Sequence, residues 1–182
     1  MKRFAVANQK GGVGKTTTAI SVAAALAVLE KRVLLVDFDP QGNTTGGLGV
    51  DKASLDRTVY DWILGNAVLS EVARPTDLAK LTLMPASREL VGAEIELVGL
   101  EAREYLLARK LDALEGEFDY VFVDCPPSLG LLTLNALAAV DGVLVPIQCE
   151  YYALEGLGQL TRNVDLVQRN LNAQLEISAI VL

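Results

Sequence analysis

The sequence predicts an α/β fold, a doubly wound and mostly parallel sheet with helices on both faces. Short apolar runs alternate with helix-forming stretches along the chain, which is typical of βαβ units. A glycine-rich turn ending in Gly14-Lys15-Thr16 separates the first apolar run from the first helical stretch. At 182 residues, the chain has the length of a single domain, 1–182.

The strand predictions rest on short apolar runs that are bounded by turn residues or by acidic residues. The run 120–123, for example, consists of Tyr-Val-Phe-Val and stops at Asp124. The predicted strands are 4–7, 33–36, 78–84, 120–123, 142–147 and 175–182.

The helix predictions rest on apolar residues at helical spacing and on capping signals. The stretch 17–30 is rich in alanine and contains no glycine or proline, and Ser87 is the expected N-cap of 88–98. The stretch 43–49, rich in threonine and glycine, is predicted to be a loop at the site, and 69–72 to be a turn. The predicted helices are 17–30, 59–64, 88–98, 102–114, 131–139 and 157–171.

The turn after the first strand has the composition of a phosphate-binding loop. Glycines let successive backbone N–H groups point at an anion, and the start of the following helix adds unpaired N–H groups and a partial positive charge. Lys15 can reach the β- and γ-phosphates, and the Thr16 hydroxyl can bind Mg²⁺. The predicted nucleotide-binding residues are Gly11, Gly12, Val13, Gly14, Lys15, Thr16 and Thr17.

Acidic residues end two further predicted strands. Asp37 and Asp39 follow the strand 33–36, and Asp124 follows 120–123. Since ligands of open α/β sheets lie at the carboxyl ends of the strands, these carboxylates are candidates for holding Mg²⁺ and for orienting water.

The glycine-rich loop departs from the general G-x-x-x-x-G-K-[ST] pattern, because Gln9 stands where the first glycine is expected and Lys10 is an additional lysine. In this respect the sequence resembles the deviant Walker A ATPases, particularly the ParA/Soj family. The segments Asp37-Phe38-Asp39-Pro40-Gln41 and Cys125-Pro126-Pro127 resemble that family's second motif and its switch segment. The run 148–156, which includes Tyr151 and Tyr152, is similar to Soj-type sequences as well.

The resemblance implies an ATP-dependent dimerisation switch with slow ATPase activity in chromosome or plasmid partitioning. ATP or ADP would bind with Mg²⁺, which Thr16, Asp39 and Asp124 would hold. Lys10 would reach the phosphates of a partner subunit, Lys15 would stabilise the transferring phosphoryl group, and Asp39 would orient the attacking water while Asp37 supports the metal region. The implied partners are a second copy of the chain, a ParB-like centromere-binding protein and, for a full-length relative, non-specific DNA. The implied location is the cytoplasm, on the nucleoid and not at a membrane.

Three alternatives to the partitioning ATPase stay open at this point. A MinD-like regulator of division-site placement would need an amphipathic membrane helix, a metabolic synthetase would need a small-molecule pocket, and a nucleotide-holding module would not hydrolyse ATP. Nitrogenase iron proteins share the loop and use two cysteines for a cluster, but the surroundings of Cys125 and Cys149 differ from theirs, so we expect two buried, inert thiols. An operator-binding type is not expected, because too few residues precede residue 4 for a helix-turn-helix.

Composition restricts the remaining functions. The net charge of −7 argues against a globally DNA-attracting surface, and the absence of histidine removes imidazole chemistry. Two cysteines do not form a disulfide framework, which fits a reducing cytoplasm. Soj-type chains continue beyond the last predicted strand, so the domain is expected to be incomplete at its C-terminus.

Overall fold

A seven-stranded sheet organises the molecule. The computed structural model describes residues 1–150 and 153–182. The strand order is β3-β4-β2-β5-β1-β6-β7, and every pairing is parallel except the antiparallel pairing of β3 with β4. The predicted fold class is confirmed. The strands are β1 (Lys2–Val6), β2 (Val33–Asp37), β3 (Arg74–Pro75), β4 (Leu81–Met84), β5 (Tyr120–Asp124), β6 (Gly142–Pro146) and β7 (Glu176–Val181).

Eight α-helices lie within the described part of the chain, together with 3₁₀ turns at Lys52–Ser54, Leu97–Gly99 and Arg103–Tyr105. None of these helices is both long and apolar enough to cross a membrane. The helices are α1 (Lys15–Val28), α2 (Asn43–Gly47), α3 (Val59–Leu64), α4 (Leu69–Val72), α5 (Leu90–Glu96), α6 (Leu106–Asp112), α7 (Leu131–Ala139) and α8 (Ala153–Asn170).

The sheet buries a core on each of its faces. On one face, Ala19, Ala23 and Ala27 of α1 pack against Val33 and Leu35 of β2. On the other face, the alternate residues of β2 pack into a larger cluster that includes side chains of α3, α5, α6, α7 and α8. Strand side chains alternate between faces, so the apolar residues 33–36 of β2 need cover on both faces of the sheet, as is usual for parallel sheets.

Several element predictions were wrong in extent. The segment 43–49 contains the short helix α2, and 69–72 forms α4. The predicted helix 102–114 begins four residues late, at Leu106, because Ala102 adopts a left-handed conformation with φ 49°. Helix α5 starts at Leu90, after Ser87 Oγ accepts a hydrogen bond from the Glu89 N–H at 3.3 Å.

Candidate active site

The order of the strands brings three loops together. Strand β5 lies between β1 and β2, and Asp124 at its end is in register with Val6 on one side and Asp37 on the other. The glycine-rich loop after β1, the acidic loop after β2 and the turn after β5 therefore meet at one edge of the sheet. This is the edge where ligands bind in open α/β folds.

A cavity of about 420 Å³ opens between these loops. The size is sufficient for a small organic ligand. Six of the seven predicted residues of the glycine-rich loop, all but Val13, line the cavity together with Asp39, and Gln41, Asn43 and Pro127 complete the wall. The lining residues are Gly11, Gly12, Gly14, Lys15, Thr16, Thr17, Asp39, Gln41, Asn43 and Pro127.

The backbone of the glycine-rich loop is shaped for close approach of a ligand. Gly12 and Gly14 have φ of 74° and 91°, a region that favours glycine, and a Cβ added at either would meet no atom within 4 Å. Gly14 is also the N-cap of α1, and no side chain caps this helix. The first N–H groups of α1 are thus available to an anion. The Val13 side chain is buried, so only its backbone can contribute to binding.

Lys15 is the cation of the cavity. Only 8% of the residue is exposed, and its ammonium donates to the Lys10 carbonyl at 3.1 Å. Burial lowers the pKa of Lys15, and the neighbouring carboxylates Asp124 and Asp39 partly oppose that shift. A buried ammonium beside two carboxylates suits an anionic ligand that is accompanied by a cation.

Only one of the two carboxylate oxygens of Asp124 accepts a hydrogen bond within the described residues. Oδ2 accepts hydrogen bonds from the hydroxyls of Thr16, at 2.8 Å, and Thr44, at 2.6 Å. Oδ1 is buried and has no hydrogen-bond partner among the described residues. Burial raises the pKa of Asp124, while the two hydroxyl hydrogen bonds act in the opposite direction. An orphaned carboxylate oxygen next to a threonine hydroxyl fits a hydrated Mg²⁺.

The two aspartates after β2 have different environments. Asp39 lines the cavity, and its Oδ1 accepts from the Gln41 N–H at 2.9 Å. Asp37 is fully buried outside the lining, where Oδ2 accepts from the Thr45 N–H at 2.7 Å and hydroxyl at 2.6 Å. Burial raises the pKa of Asp37 to about 7. The geometry leaves Asp39 as the carboxylate that can reach a ligand, whereas Asp37 anchors α2.

Lys10 lies outside the cavity lining. Its ammonium forms an ion pair with Glu150 of the same chain, and both side chains are largely exposed. Two further contacts join the same segments, since Gln148 Nε2 donates to the Gly12 carbonyl at 3.0 Å and Asn8 Nδ2 to the Pro146 carbonyl at 2.7 Å. The loop after β6 thus holds the glycine-rich loop in place.

Sequence reasoning missed some of these contacts. Thr44 and Glu150 are part of the arrangement, although neither follows from local sequence pattern. The adjacent hydroxyls of Thr44 and Thr45 were the available signal, but the segment was interpreted as a loop. Of the two cysteines, Cys125 is buried as expected, whereas Cys149 is exposed, so that expectation was wrong. Tyr151 and Tyr152 lie outside the described residues.

The amino-acid sequence is similar to one protein-family model and to named bacterial proteins over most of its length. A protein-family model described as an AAA domain matches residues 1–177. A chromosome partitioning protein ParA of Myxococcus xanthus is 55% identical over 177 residues, which are 97% of this chain. The sporulation initiation inhibitor protein Soj of Bacillus subtilis is 53% identical over 181 residues, the whole of this chain. The chain spans 62% of the length of the first relative and 72% of the second.

Two solved structures share the fold of this chain. A structure named cobyrinic acid a,c-diamide synthase from Mycobacterium smegmatis, with bound ADP and magnesium, is 48% identical and superposes with a TM-score of 0.94. It covers 98% of this chain, which in turn covers 73% of it. A plasmid partition protein from Borrelia burgdorferi is 30% identical with a TM-score of 0.84, and here the shares are 99% and 78%.

Proposed function

Since the chain belongs to the ParA/Soj family of P-loop ATPases, we propose that it binds ATP with Mg²⁺ and hydrolyses it slowly. In this proposal, ATP binding switches the protein from a monomer to a dimer that acts in chromosome or plasmid partitioning. The names of the Myxococcus relative and of the Borrelia structure support the biological role. The Mycobacterium structure, with its bound ADP and magnesium, supports the ligands.

One observation carries the chemical part of the proposal. The start of α1, which no side chain caps, the buried Lys15 and Thr16 all line one cavity. The Thr16 hydroxyl donates to the buried Asp124, whose other carboxylate oxygen has no partner among the described residues. Backbone N–H groups and an ammonium bind phosphate oxygens, whereas hydroxyl and carboxylate oxygens bind Mg²⁺. The phosphates of a magnesium nucleotide and its metal ion thus each have a set of protein groups that could bind them.

The residues divide the work of phosphoryl transfer as follows. The backbone of the glycine-rich loop and the Lys15 ammonium bind the phosphates and stabilise the negative charge that spreads over the transferring group. Asp39 accepts a hydrogen bond from the attacking water and orients it. Thr16, Asp39 and Asp124 hold Mg²⁺, directly or through water, and the ion neutralises charge on the β- and γ-phosphates.

The assembly part of the proposal rests on Lys10. An exposed lysine at the rim of the phosphate loop can leave Glu150 and reach the nucleotide of a second copy. By resemblance to the family, a ParB-like protein accelerates hydrolysis and the dimer associates with non-specific DNA, which locates the protein on the nucleoid in the cytoplasm. The net charge of −7 opposes DNA binding by these 182 residues alone.

The metabolic alternative is represented among the neighbours, because the Mycobacterium structure is named as a synthase. Partitioning is preferred since the Myxococcus relative, at 55% identity, is named a chromosome partitioning protein. No observation favours a MinD-like membrane cycle.

The proposed function is tested by measuring molar mass with light scattering in Mg-ADP and in Mg-ATP, for the wild type and Asp39→Ala. We expect a dimer only with ATP, and a longer-lived dimer in Asp39→Ala because the attacking water is no longer oriented. Phosphate release, measured in parallel, should be slow in the wild type and abolished in the variant. A monomer under all conditions, despite measured nucleotide binding, would contradict the switch.

A further inference from the structure

Two consecutive threonines connect α2 to the ends of two strands. Thr44 Oγ1 donates to Asp124 at the end of β5, and Thr45 Oγ1 donates to Asp37 at the end of β2. These aspartates are direct register partners in the parallel pairing of β2 with β5. Consecutive helical side chains point in directions about 100° apart, so one turn of helix supplies a separate hydroxyl to each carboxylate.

The Thr44 contact determines how the Asp124 carboxylate is oriented. The hydroxyls of Thr16 and Thr44, from two different helices, both donate to Oδ2. A carboxylate that is held at one oxygen by two donors loses rotational freedom, and its other oxygen is left facing a defined direction. That other oxygen, Oδ1, is the buried atom without a partner among the described residues.

Thr44 itself has no access to a ligand. It is fully buried and is not part of the cavity wall, whereas its neighbour Asn43 is. The Thr44 hydroxyl can therefore influence a bound metal through its hydrogen bond to Asp124.

We propose that Thr44 is a positioning residue of the magnesium site, because it orients Asp124 toward the metal-bound water. This inference rests on the proposed function, since it assumes that Mg²⁺ binds at Asp124. Groups that orient a metal-binding carboxylate from behind commonly change metal affinity by about 10- to 100-fold when they are removed. Thr45 makes the equivalent contact to Asp37, but both oxygens of that carboxylate already accept hydrogen bonds, Oδ1 from the Asp39 N–H and Oδ2 from Thr45. Thr45 is therefore not expected to act on the metal.

The test measures how strongly Mg²⁺ improves ADP binding. The dissociation constant of ADP is determined by calorimetry in EDTA and in millimolar Mg²⁺, and the ratio of the two values is the magnesium coupling. Thr44→Val keeps the shape of the side chain and removes the hydroxyl, while Thr44→Ser keeps the hydroxyl. Thr45→Val is the matched control, because it makes the same chemical change one residue along the same helix.

We expect Thr44→Val to reduce the magnesium coupling by about tenfold or more, with little change in the ADP affinity in EDTA. Thr44→Ser should restore the coupling, and Thr45→Val should lower thermal stability but leave the coupling intact. Thermal unfolding in EDTA establishes that each variant is folded, and Thr44→Ala replaces Thr44→Val if the valine variant does not fold.

The inference would be overturned if the wild type and the folded hydroxyl-free variant of Thr44 had the same magnesium coupling. It would also be overturned if Thr45→Val lost as much magnesium coupling as Thr44→Val, because that result would indicate a general loosening of α2. A wild-type protein that binds ADP without any effect of Mg²⁺, or does not bind ADP, would instead overturn the proposed function and this inference with it.

Discussion

The ion pair between Lys10 and Glu150 gives a quantitative prediction about dimerisation. If Lys10 must leave Glu150 to reach the nucleotide of a second copy, the pair opposes the dimer. Glu150→Gln removes the negative charge and preserves the size of the side chain. We therefore expect the variant to form the ATP-dependent dimer more readily than the wild type.

The expected size of the effect follows from the exposure of the pair. The Lys10 and Glu150 side chains are 42% and 54% exposed, and an ion pair in such a setting contributes about 0.2–1 kcal/mol. A symmetric dimer breaks two of these pairs, which is about 0.4–2 kcal/mol. This difference corresponds to about a 2- to 30-fold tighter dimer, since about 1.4 kcal/mol equals a factor of ten.

The assay is the dimer dissociation constant from sedimentation in Mg-ATP, with Asp39→Ala as the background so that hydrolysis does not drain the dimer. Glu117→Gln, at an exposed position, changes the net charge by the same amount and serves as the control. Raising the salt concentration should shrink the difference between Glu150→Gln and the wild type, because mobile ions screen exposed pairs. An unchanged or weaker dimer in Glu150→Gln at low salt would refute the reasoning.

Two further predictions concern the scaffold. A Cβ at Gly142 would lie 1.9 Å from Ser178 Oγ, which is exposed and can rotate away, and 3.1 Å from Ser178 Cβ, which cannot. Gly142→Ala should therefore destabilise the fold by about 1 kcal/mol. The free energy of unfolding, measured by chemical denaturation, should recover when Ser178→Gly is added to Gly142→Ala. As a control, Gly158→Ala, where a Cβ on α8 meets no atom within 4 Å, should stabilise the fold by about 0.5–1 kcal/mol. Additive effects of the Gly142 and Ser178 changes would disprove the clash. The second prediction concerns pH: hydrogen bonds from Arg32 lower the pKa of Asp119 from 3.8 to about 2. The stabilisation from this pair is present above pH 3.8 and is lost as the pH falls toward 2, so thermal melts of Asp119→Asn should show a smaller decline over that range than the wild type, and an identical decline would contradict the assignment.

The local elements of this protein follow from its sequence because their causes are local. The alternation of apolar runs and helical stretches predicted the two-sided sheet, and α3 and α7 have the predicted limits. The glycine-rich loop could be located because the positive φ values at Gly12 and Gly14 favour glycine and because a helix begins directly after it. Prediction was poorer where a distant contact decides the conformation. The short helix α2 looked like a loop, since its stability comes from hydrogen bonds to Asp37 and Asp124 and not from helix propensity.

The sequence by itself determined which groups are available to the candidate site: a glycine-rich loop, a lysine, a threonine and three aspartates that end or follow strands. Only the tertiary structure decided which of them act together, because strand order is set by packing over the whole sheet. Insertion of β5 between β1 and β2 brings Asp124 to Thr16, although 108 positions separate them in the chain. The same packing turns Asp37 away from the cavity and Asp39 toward it, and it pairs Lys10 with Glu150. These relationships join residues that are far apart in sequence, and no local pattern encodes them.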